Sequence, residues 1–211
     1  MVERPILFSG PMVRALLAGT KTQTRRVFKT RNGGVWPHPN DLPGMQQVLR
    51  TCPYGRPGDR LWVRETWMNL QGTGIERVTG SNEDYAYGAD TPKGSYGDDQ
   101  RKCFGLKWRP SIHMPRAASR ITLEISDRRV ERLQDISEAD AVAEGIFRKV
   151  RGTPIGDMVE TATGGQLIYA DPSQAREEYR RLWEQINGPG SWAKNPWVWV
   201  LQFKRLQEPR P

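Results

Sequence analysis

The stretch Gly19-Thr20-Lys21-Thr22-Gln23-Thr24-Arg25-Arg26 sets an amine, three hydroxyls and two guanidinium groups side by side. A lysine and a threonine three apart can converge on one small electrophile or on a phosphate. A threonine hydroxyl is a poor nucleophile until a neighbouring base takes its proton. Lys21 can be that base only when its amine is neutral, which burial or nearby positive charge favours. Arg25 and Arg26 supply such charge if they point into the site. The plainer reading of these residues is a solvated basic loop, or a segment that holds phosphate.

Several other residues are candidates for binding. If Leu61 and Val63 face the interior of a strand, so does Glu65, and a carboxylate on an apolar face needs a partner. Lys21, Arg25 and Arg64 are the candidate partners, and a pocket residue and a structural ion pair both remain open. Trp67 and Trp108, with Tyr85 and Tyr87, can stack a base, whereas Trp197 and Trp199 read as core. Lys107, Arg109 and Arg116 flank His113 and form either a phosphate rim or a solvated edge strand. His113 by itself reads as a structural histidine. Arg25, Arg26, Glu65, Trp67, Trp108, His113 and Arg116 together make up the candidate substrate-binding set. Cys52, Cys103, His38 and His113 lack ligand-like spacing and the cysteines suggest no disulfide framework. No metal and no cofactor is therefore expected.

The elements that must position these groups belong to a chain of 211 residues, the length of one domain with insertions. The composition is polar for a globular domain, and eight tryptophans partly offset this. The net charge of +8 favours a polyanionic partner such as a nucleotide or nucleic acid. No apolar run approaches the roughly 20 residues that span a bilayer, and there is no apolar leader. The expectation is a cytoplasmic protein with reduced cysteines and no membrane partner.

A short strand is predicted over 4–8. A helix follows through Leu17, with Pro11 in its first turn and Met12, Ala15 and Leu16 buried, and Gly19 stops it. Residues 22–27 read as a short polar strand or extended loop. Irregular insertions are predicted near 28–58, 69–103 and 147–171, the second holding a short strand near Tyr85. Residues 60–67 read as one strand, 108–114 as an edge segment and 118–126 as an alternating strand, with 128–134 as a second strand or an extension. Ser137 caps a short helix that Gly145 ends. A helix over 173–186 buries Ala175, Tyr179, Leu182, Trp183 and Ile186. The last strand, 196–206, puts Trp197, Trp199, Leu201 and Phe203 on one face. Short strands with few helices favour a small β-barrel decorated by helices over a doubly wound sheet.

The chain resembles the ASCH-domain proteins, which share the PUA-like barrel. The resemblance is carried by Leu16-Leu17-Ala18-Gly19-Thr20-Lys21-Thr22-Gln23-Thr24-Arg25, Gly58-Asp59-Arg60-Leu61-Trp62-Val63-Arg64-Glu65, Leu133 through Gly145, and Trp197-Val198-Trp199-Val200-Leu201-Gln202-Phe203-Lys204. The longer pattern, with Trp108 through Arg116, looks like a subgroup found in phage and prophage genomes. The resemblance implies an α+β fold: one ASCH/PUA-like domain over 1–211, a small barrel with flanking helices and long loop insertions. It implies a site for a nucleoside or RNA. Bacterial members include amidohydrolases that remove the acetyl group from N4-acetylcytidine with a lysine, a threonine and a glutamate. By motif position these fall on Lys21, Thr24 and Glu144. At the end of its short helix Glu144 faces the negative end of a helix dipole, a setting suited to a general acid. A non-catalytic RNA-binding module and a phage accessory protein acting through a protein partner are the competing readings.

Overall fold

A computed structural model describes residues 1–28, 42–73, 84–153, 156–161, 166–167 and 172–206. It is an α+β protein with a five-stranded sheet, a three-stranded sheet and a two-stranded sheet. The large sheet contains β1 (Glu3–Leu7), β2 (Gln23–Val27), β3 (Arg60–Arg64), β6 (Thr122–Arg132) and β10 (Trp197–Leu206) in the order β1-β3-β6-β10-β2. Within this sheet β1 and β3 run parallel, and the other pairings among the described residues are antiparallel. The hairpin sheet is β4 (Trp67–Asn69) with β5 (Tyr85–Tyr87), and the third is β7 (Phe147–Thr153), β8 (Gly156–Thr161) and β9 (Gln166–Leu167). The helices are α1 (Gly10–Leu17), α2 (Leu42–Arg50), α3 (Tyr96–Cys103), α4 (Glu138–Ala143) and α5 (Ala175–Asn187).

The closed barrel expected from the sequence is not present among the described residues, because the edge strands β1 and β2 share no backbone ladder. The sheet curls instead. The Arg26 guanidinium of β2 donates to the Leu7 carbonyl at the end of β1, so the two edges meet through a side chain.

α1 forms where it does because Pro11 fits the first turn, whose N–H groups have no intrahelical partner. Met12, Val13, Ala15 and Leu16 are its buried face. Gly19 adopts φ 75°, a conformation that glycine reaches without a Cβ clash, and turns the chain toward β2. β2 is a strand, one of the two readings of 22–27, but its polar residues are not solvated: Gln23, Thr24 and Arg25 are all buried. β10 lies between β6 and β2, so both of its edges are paired, and burial along Val198–Leu201 shows that both of its faces are covered as well. Val198 and Val200 are as buried as Trp199, Leu201 and Phe203, while Trp197 is only half-buried. Each large apolar side chain fully buried here contributes about 1.5–3 kcal/mol. β6 is one continuous strand through Arg132 rather than two.

Other expectations need correction. The first insertion contains α2, the second contains α3, and the third contains β7 to β9. Residues 29–41, including His38, lie outside the described residues. The strand predicted over 60–67 breaks at Glu65-Thr66 into β3 and β4. The edge segment at 108–114 is not a strand: it holds a single bridge from Arg109 to Trp67 and a 3-10 turn, Ser111–His113. Ile186 is 61% exposed, because the α5 stripe leaves the core after Trp183. No helix among the described residues is long and apolar enough to cross a membrane.

Candidate functional site

The site forms where the end of α1, the start of β2 and the end of α4 meet. After Gly19 the chain stays fastened to α1, with Lys21 N donating to Ala15 O at 3.2 Å. Thr22 N then donates to Ala143 O at 2.9 Å, and Lys21 bridges Glu144 across the junction. α4 starts as its sequence dictates, with Ser137 Oγ accepting from Asp140 N at 3.0 Å. It ends at Glu144, and Gly145 follows at φ 75°. A Cβ on Gly145 would lie 2.7 Å from the Lys21 Cβ and 2.9 Å from the Ala15 Cβ. The missing side chain is what lets α4 close over Lys21.

Gly145→Ala is therefore expected to destabilise the fold. The left-handed backbone costs roughly 1–2 kcal/mol, and overpacking adds about 1–3 kcal/mol. Denaturant unfolding checks this, and an unchanged midpoint would show that the junction has slack the close contacts do not suggest.

Lys21 Nζ is buried and donates to Gln23 O at 2.8 Å, Glu144 O at 2.8 Å and Glu144 Oε2 at 3.0 Å. The other carboxylate oxygen, Oε1, accepts from Arg25 Nη1 at 3.1 Å. Arg25 also pairs with Glu131, and its Nη2 lies 3.1 Å from Asp140 Oδ2. Arg129 joins the same two carboxylates, at 3.0 Å from Glu131 and 2.9 Å from Asp140. The cluster thus sets the cations Lys21, Arg25 and Arg129 among three carboxylates.

Burial pushes the Lys21 amine below its ordinary pKa of 10.5. Glu144 opposes that shift, while Arg26 and Arg25 add to it. Burial opposes the charge on Arg25 too, but Glu144 and Glu131 outweigh it and its pKa is raised. The Tyr179 phenol is raised well above its ordinary value of 10.0, first by burial and then by the charge of Glu144.

Lys21, Thr24 and Glu144 all line one cavity of about 210 Å³. Thr24 is buried, and its hydroxyl makes no hydrogen bond to a described residue. Arg25 and Arg26 line the same space, closed by Phe8 and Met12 on one side and by Tyr179, Leu182 and Trp183 on another. Lys21 Nζ and the Arg26 guanidinium lie 5.5 and 5.0 Å from the Phe8 ring centre. These distances suit cation–π contacts.

The remaining candidates lie elsewhere. Glu65 is buried outside the cavity, and Arg120 grips both its oxygens at 2.9 and 3.1 Å. Burial raises the Glu65 pKa against the pull of Arg120. Trp67 packs with Met114 and Ala118 under Arg109. Trp108 packs on Met68 and Leu70. His113 is exposed, and Arg116 is held by Glu3 at 2.9 Å.

Sequence reasoning missed Tyr179 and Phe8 as site residues. Tyr179 was legible only as a member of the α5 stripe, and Phe8 only as the end of a strand. A scan against family models found no match, and searches of curated proteins and of solved structures found none either.

Proposed function

We propose that the chain is an ASCH/PUA-like domain whose cavity hydrolyses an N4-acylated cytidine or a related modified pyrimidine nucleoside. The observation that carries this reading is the buried Lys21 amine, tied to Glu144 on the wall of a nucleoside-scale cavity that Thr24 also lines. The curled five-stranded sheet supports the PUA-like assignment.

In this reading neutral Lys21 takes the proton of the Thr24 hydroxyl as its oxygen attacks the acyl carbon. The bond from the acyl carbon to N4 then breaks, and the Lys21 ammonium returns the proton to the leaving nitrogen. The nucleoside departs with a free amine, and the acyl group remains as an ester on Thr24. Water, deprotonated by Lys21, hydrolyses that ester and restores the hydroxyl. Glu144 accepts hydrogen bonds from Lys21 and Arg25 with its two oxygens. Its role here is to hold and tune Lys21 rather than to deliver the proton itself.

Phosphate or RNA binding by the same cleft has less support. Arg25 is engaged by three carboxylates and Arg26 by a backbone carbonyl.

Thr24→Val keeps the branched shape and removes the nucleophile. The expected result with N4-acetylcytidine is loss of turnover by about 10²-fold or more, with nucleoside affinity retained. Wild-type turnover in Thr24→Val would overturn the reading. RNA affinity that falls steeply with salt, without turnover, would favour the binding-module alternative.

A further inference from the structure

Amide hydrolysis needs a hydrogen-bond donor beside the oxygen that becomes negative, as well as a base and a nucleophile. The backbone of β2 supplies one. In an antiparallel ladder, alternate residues turn their N–H and C=O groups toward the partner strand and away from it. Thr22 O accepts from Phe203 N, and Phe28 N donates to Trp197 O, each at 2.9 Å. The register between them is unbroken, so residues 24 and 26 turn toward β10, and residues 23, 25 and 27 turn away. On that outward side β2 has no strand beside it.

The cavity lies there. Thr24, Arg25, Arg26 and Val27 all line it. Strand side chains alternate between two faces, so a space touched by four residues in a row lies along the strand's edge. Lys21 Nζ marks the same edge, because it donates to the outward-turned Gln23 carbonyl at 2.8 Å. Base, nucleophile and the Arg25 amide thus follow one another along this stretch. Arg25 is buried, and its N–H meets no acceptor among the described residues. A buried N–H without a partner is costly, and an acceptor brought by a ligand removes that cost. Trp183 Nε1 and Arg26 Nε are also buried without partners in the residues around this cavity. The Arg25 amide is distinguished from both by covalent structure. It belongs to the peptide bond that follows Thr24, so it stays beside the carbon that the Thr24 oxygen attacks.

We propose that the Arg25 backbone N–H donates a hydrogen bond to the acyl carbonyl oxygen of the substrate and stabilises it as negative charge develops. This rests on the hydrolase reading given above. The proton stays on the amide throughout, and Lys21 alone carries a proton from Thr24 to the leaving nitrogen.

The test replaces that amide by an ester, which keeps the arginine side chain and removes the N–H. The free Cys52 lets a synthetic segment 1–51 be ligated to an expressed segment 52–211 with the sequence unchanged. The full chain is made three ways: all-amide, with an ester at Arg25, and with an ester at Phe28. The Phe28 ester deletes a ladder bond to Trp197 O, so it weakens the strand without removing the proposed donor. With N4-acetylcytidine, the Arg25 ester is expected to lower kcat by about 10²-fold or more, while the Phe28 ester stays near the all-amide chain. An unchanged kcat in the Arg25 ester, or an equal loss in the Phe28 ester, would overturn the inference and leave the hydrolase reading intact. Absence of turnover in the all-amide chain and in the expressed protein would refute the hydrolase reading and the donor role with it. If the Arg25 ester does not fold, NMR of the expressed Thr24→Val protein decides. A downfield shift and slowed exchange of the Arg25 amide proton on adding N4-acetylcytidine uphold the donor role, and an unchanged resonance overturns it.

Discussion

Lys21→Met is expected to lower kcat/KM for N4-acetylcytidine by about 10²–10⁴-fold, the range in which a positioned base contributes. Methionine fills much of the same space and removes the amine. Glu144 keeps Arg25 as its partner at 3.1 Å, so the fold should survive, which thermal unfolding checks. The wild-type rate should rise with pH and level off below 10.5, the ordinary lysine value, because burial favours the neutral amine. The same shift has a sign for stability. Between the lowered Lys21 pKa and 10.5 the unfolded chain holds the proton and the folded chain does not. Stability contributed by this residue therefore rises with pH across that window. A Lys21→Met enzyme with wild-type kcat/KM would remove the base from the mechanism.

Glu144→Ala is expected to cost about 3–5 kcal/mol, the usual result of deleting one partner of a buried ion pair. Glu144 is 2% exposed and bonded to both Lys21 and Arg25. Its loss leaves Lys21 with only the backbone carbonyls of residues 23 and 144. Arg25 still has Glu131 and Asp140, so the penalty falls mainly on Lys21. Glu144→Gln should cost less, because it keeps the shape and one acceptor oxygen. In that variant the ascending limb of the pH–rate profile should move to lower pH, since Glu144 is what favours the charged amine. Urea unfolding and the rate profile check the two parts. A loss under about 1 kcal/mol would mean that the pair is far better solvated than its burial suggests.

The sequence was most informative where local chemistry decides structure. Pro11 and Gly19 bound α1, and Ser137 and Gly145 bound α4, because capping and left-handed turns act over a few residues. The helices inside the insertions were harder. α3 has an N-cap at Ser95, acidic residues in its first turn and basic residues in its last, but it lacks the apolar stripe that periodicity detects. α2 carries Pro43 and Gly44, which read as loop residues.

The site was legible in part. Lys21 and Thr24 belong to one short segment, and their shared cavity extends what that spacing implies. Glu144 was tied to them only through resemblance, because the contact joins residues 123 apart. Glu65 was correctly read as needing a partner, but the partner is Arg120, brought close by the pairing of β3 with β6. No local signal names a partner across a sheet. Tyr179 looked like ordinary core because a helix stripe does not record what lies beneath it.

The most direct measurement is release of cytidine and acetate from N4-acetylcytidine by the wild-type protein, followed to many turnovers. The expected result is stoichiometric release of both products, at a rate that rises as Lys21 loses its proton. Failure to release either product at any pH where the fold is intact would contradict the proposed hydrolysis.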